Sequence, residues 1–203
     1  MTKIGIIDYG VGNVNSLNKS FKSIGFKSFK SSDKSVLKNS DVLVLPGVGS
    51  FPYAMDRLRQ LKLDDFIIDE SKKNKPIIGI CLGMQLLTDS SEENGDHLGL
   101  GIIPGKIIEL GDSDFHIGWN DIDICKELNF IKKFNKHEFF FNHGYAYRGN
   151  AKNILSKTIY RENCFASAII QRNTVGFQFH PEKSQKAGLQ ILKSTINFLM
   201  KNK

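Results

Sequence analysis

Cysteine is scarce in this 203-residue chain: three residues, at 81, 125 and 164, an odd number at unrelated spacings. They provide neither a disulfide framework nor a zinc site. Long apolar runs are missing as well, and none reaches the length of a membrane span. The opening MTKIGIIDYG enters a strand pattern at once, without the charged and apolar regions of a secretion leader. There is no internal repeat, no low-complexity segment and no linker long enough to divide the chain. These absences lead us to expect one domain over residues 1–203, no membrane association and a cytoplasmic setting.

Acidic residues are outnumbered, 21 against 28 lysines and arginines, for a net charge of +7. Nucleic-acid binding would call for a basic stripe. Here the lysines are scattered, in KK pairs at most, and much of the excess reads as solvated helix faces. No nucleic-acid partner is expected. Hydrophobic residues make up 40% and charged residues 24%, the balance of a globular chain.

The first half alternates strands with helices. KIGIID at 3–8 reads as a buried strand, and Val14, Leu17, Phe21 and Ile24 mark one face of a helix. DVLVL at 41–45 and PIIGI at 76–80 are further strands. Residues 54–61, 64–72 and 82–88 read as helices, and 89–97 as a surface loop. Such alternation predicts an α/β fold: a mostly parallel sheet with helices on both faces. Short β-rich runs at 106–110, 138–142, 165–171 and 174–180 predict an added antiparallel portion. Leu189, Leu192, Ile196 and Leu199 mark a final helix.

Three motifs carry chemistry. In GICLGMQ at 79–85 the strand ends at Cys81 and a helix follows directly. A nucleophile on such a turn is strained and exposed, and helix N–H groups favour the thiolate that attacks. A small buried cysteine at a strand end fits this heptad equally well. In FQFHPE at 177–182, His180 is placed to move the thiol proton and Glu182 to orient the imidazole. Strand alternation would put 180 and 182 on one side; taken alone, the tripeptide reads equally well as a surface His-Pro-Glu turn. Pro46-Gly47-Val48-Gly49 follows a strong strand, and its glycines let peptide N–H groups, with that of Leu82, turn toward a developing oxyanion. By itself it reads as a tight turn. Gly10-Val11-Gly12 invites a dinucleotide reading that fails, because position 15 is Asn where G-x-G-x-x-G needs Gly.

With these elements assembled, the chain resembles class I, triad-type glutamine amidotransferases over nearly its whole length. The resemblance rests on IGIIDYGVGN at the start, LPGVGSF at 45–51, GICLGMQLL at 79–87, HIGWN at 116–120 and GFQFHPEKS at 176–184. It implies a flavodoxin-like single domain and a catalytic Cys81, His180 and Glu182. It also implies an oxyanion hole of Val48, Gly49 and Leu82, and glutamine contacts from Gly47, Gln85, Gly144 and Tyr145. No cofactor or metal is implied. PGVG, GWN and HPEKS resemble the subfamily that passes ammonia to a (β/α)8-barrel cyclase in histidine biosynthesis, with Asn13, Trp119 and Lys183 at the subunit interface. Members usually carry tyrosine and a hydroxyl residue where this chain has Phe140 and Gly144. That departure keeps open a paralogous partner that builds amidino groups on surface sugars. A free-standing hydrolase on the same fold is the reading from another class.

Overall fold

The computed structural model describes residues 1–111 and 115–202. The first half runs β1 (Lys3–Ile7), α1 (Val14–Ser23), β2 (Lys27–Ser31), α2 (Lys34–Lys38), β3 (Val42–Leu45), α3 (Phe51–Gln60), α4 (Leu63–Lys72), β4 (Ile77–Ile80) and α5 (Leu82–Leu86). Strands dominate the rest: β5 (Thr88–Ser91), β6 (His97–Leu98), β7 (Ile103–Glu109), β8 (His116–Asp121), β9 (Asp123–Ile124), β10 (Glu138–His143) and β11 (Tyr145–Gly149). β12 (Ile154–Tyr160), β13 (Asn163–Gln171) and β14 (Thr174–Phe177) precede the closing helix α6 (Gln185–Lys201).

One sheet organises the molecule, in the order β2-β1-β3-β4-β14-β13-β12-β9. The five strands from β2 to β14 pair in parallel. β13, β12 and β9 continue antiparallel. β3 and β4 are buried at every residue, as strands covered on both faces must be. Ile4 and Ile6 join Phe21 of α1 and Leu192 and Ile196 of α6 in one cluster, while Leu43, Leu45 and Ile77 join Leu58, Ile67 and Leu87 in another. Alternate residues along each strand therefore feed opposite helical layers. β10 pairs with β8 in a two-stranded sheet, and β11-β7-β5-β6 form a four-stranded one.

Three expectations need correction. The helix predicted over 82–88 stops at Leu86: Thr88 Oγ1 bonds the Gln85 carbonyl, and the Leu87 carbonyl takes the N–H groups of Ile102 and Ile103. Thr88–Ser91 is then strand β5, paired with β7, so the surface loop expected over 89–97 is shorter. The strand predicted to His180 ends at Phe177, and a 3-10 turn, Pro181–Lys183, follows His180. β2 and α2, five residues each and rich in lysine and serine, carry too little periodicity to be read.

Candidate active site

β4 delivers Cys81 and α5 takes the chain away, leaving Cys81 at φ 53, ψ −114. A side chain at positive φ is strained, and such strain collects at functional turns. The Cys81 N–H bonds the Phe177 carbonyl at 2.7 Å, tying the elbow to β14. Glycine lets the neighbouring loop close in. A Cβ on Gly83 would lie 1.9 Å from the Leu45 carbonyl oxygen, and one on Gly47 would lie 2.7 Å from the Gly83 nitrogen. The 46–49 loop thus meets the elbow backbone to backbone. α5 is a single short helix, so it offers first-turn N–H groups rather than a long dipole.

The FHPE segment is fixed on the other side of the sulfur. The His180 N–H bonds the Phe140 carbonyl at 2.8 Å, and its carbonyl accepts the Ser184 hydroxyl at 2.6 Å. The 3-10 turn, not strand alternation, brings Glu182 Oε1 to 2.9 Å from His180 Nδ1. Both side chains are buried. Burial alone would lower the pKa of His180, but the charge on Cys81 and the charge and hydrogen bond of Glu182 outweigh it and raise the value to about 10. The ring is therefore set to carry a proton beside the sulfur. Its Nε2 has no hydrogen-bond partner among the described residues.

Cys81 opens into a pocket of about 260 Å³ whose wall also includes Val48, Gly49, Leu82, Gln85, Gly144 and Tyr145. Gly47 stands one step back, packed on Leu82 and Gly83. A buried polar chain runs behind the sulfur. His143 Nδ1 and Gln85 Nε2 both donate to the Tyr145 carbonyl at 2.9 Å, and Gln85 Nε2 also reaches Gln178 Oε1 at 3.2 Å. Burial lowers the pKa of His143 to about 3, against its bond to Tyr145 O, so it stays neutral. Glu93 also lines the pocket, its proton affinity raised by burial and its carboxylate held by the Phe51 N–H at 3.0 Å. Sequence reasoning missed this acid, because it sits in a polar stretch with no motif around it. A larger groove, about 470 Å³, lies between residues 127–130 and the end of α6. It contains no cysteine or histidine, so the chemistry favours the smaller pocket.

The family model described as glutamine amidotransferase class-I matches residues 5–198. The chain belongs to that family. The imidazole glycerol phosphate synthase subunit HisH of Aquifex aeolicus is 44% identical over 194 residues, covering 93% of both chains. Its Bacillus subtilis counterpart is 40% identical over 197 residues, again 93% of each. Among solved structures, a chain of PurLQS from Thermotoga maritima aligns with a TM-score of 0.78 over 98% of this chain and 99% of that one. At 19% identity it is a likeness of fold alone.

The remaining expected positions of this amidotransferase lie outside the pocket. Trp119 on β8 faces Phe140 on β10, with ring centroids 6.1 Å apart, and Lys183 Nζ stands 5.5 Å from the Phe140 ring. Trp119 is 44% exposed and Ile117, on the same strand face, 63%. Trp119 and Ile117 thus leave a partly exposed apolar strand face beside Phe140 and Lys183. Asn13 is exposed and caps α1, its side chain accepting the Ser16 N–H at 3.2 Å. No helix among the described residues is long and apolar enough to cross a membrane.

Proposed function

We infer that the chain is the glutaminase subunit of an imidazole glycerol phosphate synthase, releasing ammonia from glutamine for a cyclase subunit built as a (β/α)8 barrel. The observation that carries this reading is a strained Cys81 that opens into the pocket of Gln85, Gly144 and Tyr145 and is coupled electrostatically to a buried His180–Glu182 pair whose Nδ1 and Oε1 lie 2.9 Å apart. The names of the relatives favour histidine biosynthesis over the amidino-sugar alternative.

The Cys81 thiolate attacks the side-chain amide carbon of glutamine. The oxyanion that forms meets the N–H groups of Val48 or Gly49 and of Leu82. His180 gives its proton to the departing nitrogen, and ammonia leaves behind a glutamyl thioester. Acylation removes the sulfur's negative charge, so the imidazole loses one of the charges that raised its pKa. It can then take a proton from water, whose oxygen attacks the thioester and frees glutamate. Glu182 holds the ring throughout through Nδ1. Glu93 suits the α-ammonium of the substrate, while Gln85 and the backbone at Gly144 and Tyr145 suit its polar groups. Trp119, Lys183 and Asn13 face the partner.

The test is glutamate release from glutamine by the subunit alone, with its cyclase, and with the cyclase plus the nucleotide substrate. Release that appears only in the last mixture supports the reading. Release with the partner but indifferent to that nucleotide would point to another acceptor. No release in any mixture would sink the glutaminase assignment.

A further inference from the structure

We propose that Tyr9 is a positioning residue that holds the 46–49 loop against the nucleophile elbow, so that the loop's N–H groups meet the oxyanion. The proposal rests on reading that loop as the oxyanion stabiliser. Among the described residues, 46–49 make no backbone–backbone hydrogen bond. Pro46 has no N–H to offer, and Val48 and Gly49 stand in the pocket wall with their N–H groups free of backbone partners. Beyond its packing on the elbow, the loop is therefore held by side-chain chemistry.

Tyr9 supplies it. The side chain is fully buried, and its hydroxyl donates to the Pro46 carbonyl at 2.7 Å. That carbonyl belongs to the peptide entering Gly47, so the bond sets the plane from which the loop departs. Burial, with the charge on Cys81, raises the phenol's pKa and keeps it a donor at any working pH. The same turn braces the loop sterically: a Cβ on Gly12 would lie 3.2 Å from the Gly47 nitrogen and from Pro46 Cβ. The backbone carbonyl of Tyr9 is itself held by Arg57 Nε at 3.4 Å. The first turn and the oxyanion loop thus form one packed unit joined by a single buried hydroxyl.

Tyr9→Phe keeps the ring and removes that bond. We would measure glutamine turnover by the variant in complex with its cyclase and nucleotide, beside ammonia-dependent synthesis by the same complex. Alkylation of Cys81 by iodoacetamide is the third reading, because that displacement builds no oxyanion. The expected result is a kcat for glutamine reduced about tenfold, with KM, ammonia-dependent synthesis and alkylation rate unchanged. An unaltered kcat overturns the proposal. A parallel fall in alkylation and ammonia-dependent synthesis overturns it too, since Tyr9 would then merely support the fold. If alkylated wild-type subunit still hydrolyses glutamine, the reading of Cys81 fails, and the proposal falls with it.

Discussion

Gly83→Ala tests whether the active site depends on the close approach of two backbones. The added methyl would meet the Leu45 carbonyl oxygen at 1.9 Å, its carbon at 2.7 Å and the Pro46 carbon at 3.2 Å. None of these atoms ends a flexible side chain, so relief must come from moving main chain at the end of β3. Overpacking of a well-filled site costs about 1–3 kcal/mol, and rigid obstacles place this case near about 3 kcal/mol. For a chain of this size that corresponds to a melting point lower by roughly 6–12 °C. Activity should suffer beyond what unfolding explains, because a displacement of about 1 Å in a catalytic group can cost roughly a hundredfold. Thermal unfolding and glutamine turnover well below the melting point measure the two effects separately. Gly49→Ala is the companion: Gly49 has φ +104 and nothing within 4 Å of a built Cβ, so it isolates backbone strain without a clash. That strain is about 1–2 kcal/mol. If Gly83→Ala melts within two or so degrees of the parent and turns over normally, the steric argument is wrong.

Three further outcomes follow from the same geometry. His180→Asn should reduce glutamine hydrolysis by several orders of magnitude, since nucleophile and base act as a unit, while ammonia-dependent synthesis by the complex survives; loss of both would make the residue structural. Trp119→Ala should weaken binding of the cyclase by about 2 kcal/mol if it anchors the interface, and calorimetric titration giving an unchanged Kd would end that assignment. Acid should destabilise the subunit through His116, which burial lowers to about 4, and His143 at about 3. Their folded values lie below the unfolded one, so the unfolded chain gains protons first. Stability is whole above about pH 6.5 and falls by about 1.4 kcal/mol per pH unit and per histidine toward the folded values. His116→Phe, which can keep the stack on Phe141 and Tyr160, should flatten the urea midpoint against pH; an identical slope would refute it.

Apart from the edge strand β2 and the short α2, the parallel half of the fold was legible because its strands are short continuous apolar runs and its helices obey a 3.6-residue period. β3 and β4 coincide with the runs that stand out in the sequence. The antiparallel portion was legible only in outline. β5, with the sequence Thr-Asp-Ser-Ser, has no apolar alternation, and its place is set by pairing with β7 and by carbonyls left over from α5. Nothing local could have announced it. The same holds for Glu93, whose place in the pocket wall depends on a strand that the sequence did not reveal.

The motifs could be read singly, but their assembly depends on residues that no spacing rule isolates. His180 and Glu182 meet through a 3-10 turn, and that turn is held by Ser184, whose hydroxyl bonds the His180 carbonyl and accepts the Phe140 N–H. A Cβ on Gly188 would lie 1.9 Å from the Pro181 carbonyl oxygen, so helix α6 can press on the turn only because that position is bare. On the far side of the sulfur, Gly47 and Gly83 perform the same service between loop and elbow. Ser184 and Gly188 look in sequence like any other loop or helix residue. Each acts across a distance in the chain that only the folded sheet abolishes: Ser184 grips Phe140, and Tyr9 grips Pro46. The reactive groups are therefore specified locally, by residue type at a strand end, while their mutual positions are specified by small side chains elsewhere. A substitution at Ser184 or Gly188 should impair catalysis while leaving all three motifs intact to the eye.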